Sequence, residues 1–124
     1  MWTEDQICTT LINAAFKVHT TLGPGLLESA YEKCLAFEAR KQGLTILTQV
    51  PLPLQYDGTI IDCGYRLDLL AEEKVIVEVK SIEKFDTIHL AQILTYLKLS
   101  GCKIGYLLNF NVSGLKNGIK RVIL

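Results

Sequence analysis

The chain has 124 residues, and its 13 basic and 13 acidic side chains cancel. That length fits one domain, residues 1–124, able to bury roughly two-thirds of its unfolded surface and leaving no room for a second. The balanced charge argues against the global positive field of a tight, nonspecific nucleic-acid binder, and the local basic groups, Lys33, Arg40 and Lys41 or Lys116, Lys120 and Arg121, look like solvated faces. Cys8, Cys34, Cys63 and Cys102 form no C-x-x-C pair and sit in apolar patterns. They read as reduced, buried thiols rather than a disulfide frame or zinc site, with a cysteine nucleophile partnered by His19 or His89 as the minor alternative. The first residues lack a signal-peptide pattern, and no apolar run approaches membrane-spanning length. The expectation is a soluble, cytoplasmic protein with no membrane partner.

Thr3-Glu4-Asp5-Gln6 is a capping-box start, after which Ile7, Leu11, Ala14, Ala15 and Val18 recur at helical spacing to about Thr21. His19 closes this helix, where a histidine most often serves as a favourable cation. Gly23-Pro24-Gly25 breaks the chain, and a second helix is expected from about Leu26 to Gln42, ended by Gly43. Its apolar stripe is Leu27, Ala30, Tyr31, Cys34 and Leu35. Glu28 lies in its first turn, where the helix dipole alone would account for an acid.

Leu44 to Leu54 is β-prone, and Pro51 and Pro53 mark it as an edge strand. Tyr56-Asp57-Gly58-Thr59 is a turn that returns the chain through Ile60 to Cys63. The next stretch, Gly64 to Ser81, holds two β-prone runs, Tyr65 to Leu70 and Val75 to Lys80, around the polar Glu72-Glu73-Lys74, which is a hairpin signal. In the second run Val75, Val77 and Val79 share one face, leaving Ile76, Glu78 and Lys80 on the other. If the three polar residues form the whole loop, Ala71 pairs with Val75, and counting outward sets Asp68 opposite Glu78 and Arg66 opposite Lys80. Facing carboxylates repel, a penalty that a divalent cation between them would remove. Both runs are almost continuously apolar, which suits strands covered on both faces and leaves the charges in want of a reason. Structural ion pairs occupy such positions too.

Asp86 or Thr87 caps a third helix that Gly101 ends. Leu90, Ile93, Leu94 and Leu97 form its core stripe, and His89, Gln92 and Tyr96 a second, polar stripe. Ile104 to Phe110 follows this crossover and should lie parallel to the strand carrying Glu78. Asn111 to Asn117 is loop, and Gly118 to Leu124 a final strand. The fold class is α/β: a small mixed sheet of about five strands flanked by helices, in the order α-α-β-β-β-α-β-β.

Asp68 followed by Glu78-Val79-Lys80 on the next strand resembles the core signature of PD-(D/E)XK nucleases, with Leu67 where a proline is usual. Gly25-Leu26-Leu27-Glu28-Ser29-Ala30-Tyr31 is similar to the motif that names the GxxExxY family, a small-domain branch of that superfamily, and His19, Leu22-Gly23-Pro24, His89, Gln92 and Tyr96 also resemble it. The resemblance implies a nuclease-like fold over nearly the whole chain. It implies metal-dependent hydrolysis of nucleic acid, DNA ahead of RNA, by Asp68, Glu78, Lys80 and Glu28. Magnesium or manganese would sit on Asp68, Glu78, the Val79 carbonyl and Glu28, with Gln92, Tyr96, His89 and Tyr31 around substrate or ligands. Glu28 and the Gln92–Tyr96 stripe should then converge on the sheet face of Asp68 and Glu78. Two other classes stay open, a non-catalytic interaction module and a metal-dependent hydrolase of a small phosphorylated molecule, and so does a homodimer.

Overall fold

The computed structural model describes residues 1–124. Helix α1 (Glu4–Leu22) opens on the expected box: the Gln6 N–H donates to Thr3 Oγ1, and the Thr3 N–H to Gln6 Oε1. Helix α2 (Glu28–Lys41) starts two residues later than its periodicity indicates. The Leu26 N–H is already committed to the Tyr31 hydroxyl, and Gly25 before it takes a left-handed φ of 102°, so the chain turns into the helix only at Glu28. The same hydroxyl donates to the Gly23 carbonyl.

The strands are β1 (Ile46–Pro51), β2 (Leu54–Tyr56), β3 (Thr59–Ile61), β4 (Arg66–Ala71), β5 (Val75–Lys80), β6 (Ile104–Asn109) and β7 (Ile119–Ile123), with helix α3 (Thr87–Ser100) between β5 and β6. The main sheet has the order β1-β4-β5-β6-β7. It is antiparallel except for the β5–β6 pair, which α3 makes parallel, as expected of a crossover. Its strands and the helices follow the expected order α-α-β-β-β-α-β-β. The addition is a separate two-stranded ribbon, β2 with β3, turning at Asp57-Gly58. Prolines 51 and 53 explain the break: each removes an amide, so the edge strand ends at Pro51 and the chain re-pairs with itself.

Two apolar clusters hold the layers. On one side α1 and α2 pack Ile7, Leu11, Tyr31 and Leu35 onto Leu69, Val75, Val77, Val79 and Leu108. On the other, Ile93 and Leu97 of α3 pack onto Leu67, Ile76, Leu107 and Val122. Residues Val75 to Val79 are all buried, as a strand covered on both faces requires. Helix α3 sits close because Gly105 has no side chain; a Cβ there would lie 2.9 Å from the Ile93 Cδ1.

Two expectations change. His19 does more than end a helix: it is buried, and its Nε2–H donates a hydrogen bond to the Val112 carbonyl at 2.7 Å, tying α1 to the loop after β6. The cysteines are all free, but Cys63, between the ribbon and β4, is exposed rather than buried. No helix is long and apolar enough to cross a membrane.

Candidate active site

The hairpin register is the one the polar loop dictates: Ala71 pairs with Val75, Leu70 with Ile76 and Leu69 with Val77. Lys74 N–H closes the turn on the Ala71 carbonyl. There the ladder stops. Asp68 and Glu78 come next, and their side chains take over the bonding: the Asp68 N–H donates to Glu78 Oε2 at 2.9 Å, and the Val79 N–H to Asp68 Oδ2 at 2.8 Å. Each carboxylate fills the gap left by the other strand. Because β4 parts from β5 here, Arg66 has no partner on β5; it pairs with Pro51, while Lys80 pairs with Asn109.

The divergence also twists β4. Leu69 belongs to the cluster under α1 and α2, yet Leu67 belongs to the one under α3, so the two-residue alternation fails across Asp68. Asp68 thereby lines a recess of about 210 Å³ with Glu28, Ser29, Glu32, Gln49 and Val79. The Gln49 amide donates to Glu32 Oε1 at 2.5 Å and to Asp68 Oδ1 at 3.4 Å.

The end of β5 is clamped. Glu28 Oε2 accepts the Ser81 N–H at 2.9 Å, and Ser81 Oγ donates to the Leu26 carbonyl. Buried Asn109 takes the Ile82 N–H on its Oδ1 and donates to the Ile82 carbonyl. Lys80, just before this knot, is half-buried and forms no ion pair within 4 Å; the ion pairs present all involve Glu38.

Burial dominates the electrostatics. Glu78 is pushed up to about 8 by desolvation and then by the charge of Asp68, against the Asp68 N–H and Lys80, which pull it down. Asp68 is raised by burial, with Glu28 adding to the effect while the Val79 N–H and Lys80 oppose it. Glu32 is raised by burial, its bond from Gln49 working the other way. The Tyr96 hydroxyl is raised by burial and by the negative charge of Glu78 and Asp68, which puts this ring within electrostatic reach of both acids. Tyr65 leans on it with ring centroids 6.1 Å apart.

The other expected residues divide. Glu28 lines the recess beside Asp68 from the α2 layer, whereas Tyr96 packs in the α3 layer within electrostatic reach of Asp68 and Glu78, so the two approach from opposite sides of the sheet instead of converging on one face. Gln92 is exposed and bonds to none of the acids. His89 does not line the recess: its Nδ1 accepts the Asp86 N–H and completes the cap of α3. Nor does Tyr31, which is fully buried, stacked on Phe110 at 4.5 Å, and spends its hydroxyl on the loop before Glu28. Sequence reasoning missed Glu32 and Gln49. The first had a signal, lying one helical turn after Glu28; Gln49 had none beyond being polar in an apolar run.

Asp68, Glu78 and Glu28 offer hard, anionic oxygens, and the rise in the pKa of Asp68 and Glu78 is what a nearby cation would reverse. That donor chemistry fits magnesium or manganese. The set does not pre-form a cage, since no three acidic, histidine or cysteine side chains are arranged around one point. No curated protein and no solved structure matches the chain. The family model of the PD-(D/E)XK nuclease superfamily does match, over residues 5–122, from the first turn of α1 into β7, and the chain belongs to that superfamily.

Proposed function

We propose that residues 1–124 form one nuclease domain of the GxxExxY branch, which hydrolyses phosphodiester bonds of nucleic acid, DNA ahead of RNA, with magnesium or manganese. The observation that carries this reading is the crossed pair of carboxylate–amide bonds at Asp68 and Glu78, where β4 and β5 part, with the unpaired Lys80 amine two residues on. Four free cysteines support a cytoplasmic setting. The domain acts alone or as a homodimer.

Asp68, Glu78, the Val79 carbonyl and the second oxygen of Glu28 would hold the ion. When bound, it polarises the phosphate and acidifies a coordinated water. The chain's own groups do the rest. Lys80, held at the clamped end of β5, offsets the charge that builds on the phosphate oxygens and orients the attacking water. Tyr96, raised above its ordinary value, keeps its proton at neutral pH and donates it in a hydrogen bond to the phosphate. Gln92, exposed one turn earlier on α3, contacts substrate farther out. Tyr31 and His89 serve instead to position the loop before Glu28 and the start of α3.

The test is a panel of DNA, RNA and nucleotides incubated with magnesium or manganese. Wild type cleaves polymer, and Lys80→Ala retains metal binding while losing about a hundredfold in rate, or roughly 3 kcal/mol of transition-state stabilisation. A second reading, a non-catalytic interaction module, draws on the absence of a pre-formed three-ligand cage. It wins if nothing in the panel is cut and calorimetry detects no metal-dependent heat. Cleavage of nucleotides without polymers favours a small-molecule hydrolase.

A further inference from the structure

Strand β1 pairs regularly with β4 from Ile46↔Ala71 to Thr48↔Leu69 and again from Val50↔Leu67. Between them Gln49, which faces Asp68 by count, is skipped. Its φ is +52°, a left-handed conformation that a residue with a side chain adopts at a steric cost and rarely inside a strand. Such a position persists only where the surroundings over-determine it.

The surroundings are two acids. The kink turns the Gln49 amide into the recess, where Nε2 meets Glu32 Oε1 at 2.5 Å and Asp68 Oδ1 at 3.4 Å. Glu32 is buried, so its carboxylate needs a donor, and only the NH₂ end of the amide supplies one. Turned round, the amide would aim its oxygen at both anions. Glu32 therefore fixes which way Gln49 points. Asp68 is then bracketed, Oδ2 by the Val79 N–H and Oδ1 by Gln49, and a carboxylate held at both oxygens has its plane set. Released from Gln49, it would pivot about the single remaining bond.

We propose that Gln49 is a positioning residue for Asp68, oriented by Glu32 and acting on the reaction through the Asp68 carboxylate. The catalytic part of this role rests on the nuclease reading above; the positioning part does not. The informative variant is Gln49→Gly, which removes the amide and relaxes the left-handed backbone together. The relaxed backbone is offset by the buried Glu32 carboxylate left without its donor, so the variant is compared with wild type at a temperature where both are folded. The Val79 amide proton should exchange faster by NMR while that of Val77, inside the regular ladder, is unchanged. Manganese affinity measured by calorimetry, and kcat, should drop roughly 10- to 100-fold with KM for nucleic acid unmoved, the usual effect of losing a hydrogen bond that orients a ligand. Glu32→Leu, which leaves the β1 backbone untouched and removes the acceptor for the Gln49 amide, should shift Val79 exchange and manganese affinity the same way. If neither variant changes Val79 exchange, the proposal is overturned. If wild type itself takes no manganese and cuts nothing, the nuclease reading fails alone, and Val79 exchange still decides whether Gln49 sets Asp68.

Discussion

At Glu78 the fold carries an acid whose pKa rises from an ordinary 4.5 to about 8, chiefly through burial. A carboxylic acid raised in this way favours folding when protonated. Its contribution is complete below about 4.5 and is lost as the pH climbs through 8, and Asp68 and Glu32, both also raised, push in the same direction. Metal-free protein should lose stability across that window, by about one kcal/mol per pH unit for each proton released. Glu78→Gln keeps an acceptor oxygen for the Asp68 N–H but cannot ionise, so its thermal midpoint should exceed that of wild type near pH 8.5 and lose the advantage near pH 4. A variant less stable than wild type throughout would mean that the charge itself supports the fold. The hairpin register was legible as far as Leu69 and Val77, because a three-residue polar loop and a period of two fix the count. That the side chains of Asp68 and Glu78 would replace the ladder was not legible, since alternation says which face a residue takes and nothing about where two strands part.

Helices and strands place these residues through a few tight contacts. Gly105 on β6 lets α3 settle onto the sheet, and Ile93 occupies the space a Cβ would take. Gly105→Ala forces the Ile93 tip aside, at a cost of roughly 1–3 kcal/mol by the usual scale of overpacking. Since Tyr96 lies one turn beyond Ile93, the same change should lower catalytic rate more than its loss of stability explains. Chemical denaturation alongside kinetics at a temperature where the variant stays folded checks this, and unaltered kinetics would leave α3 a purely structural element. The caps of α1 and α3 and the edge character of β1 were written in local sequence, in Thr3 with Gln6, in Asp86, and in Pro51 with Pro53. The late start of α2 was not. It depends on the Tyr31 hydroxyl reaching back to Gly23 and Leu26, a contact that helical periodicity cannot encode.

For the molecule as a whole, the cancelled charge limits how substrate is held. Arg66 and Lys80 are the cations nearest the acids in sequence, on the two strands that carry them. An interface neutralising about two phosphates should lose only roughly tenfold in affinity between 50 and 200 mM salt, far less than the 10³–10⁵ of proteins making six or more such contacts. Binding measured across that range tests the point, and a steep slope would reveal a basic track assembled from residues distant in sequence. The overall order of elements was readable because each helix and strand announces itself locally; the two-sided approach to the site, α2 from one layer and α3 from the other, emerges only from the sheet between them. The crossed bonds at Asp68 and Glu78 bear on how such a protein changes over generations. Asparagine and glutamine offer the same acceptor oxygens to the Val79 and Asp68 amides, so shape and chemistry are separable here. On the proposed nuclease reading, a lineage can surrender hydrolysis by two amide substitutions while both backbone amides keep their acceptors, and the scaffold it keeps is free to be recruited for recognition alone.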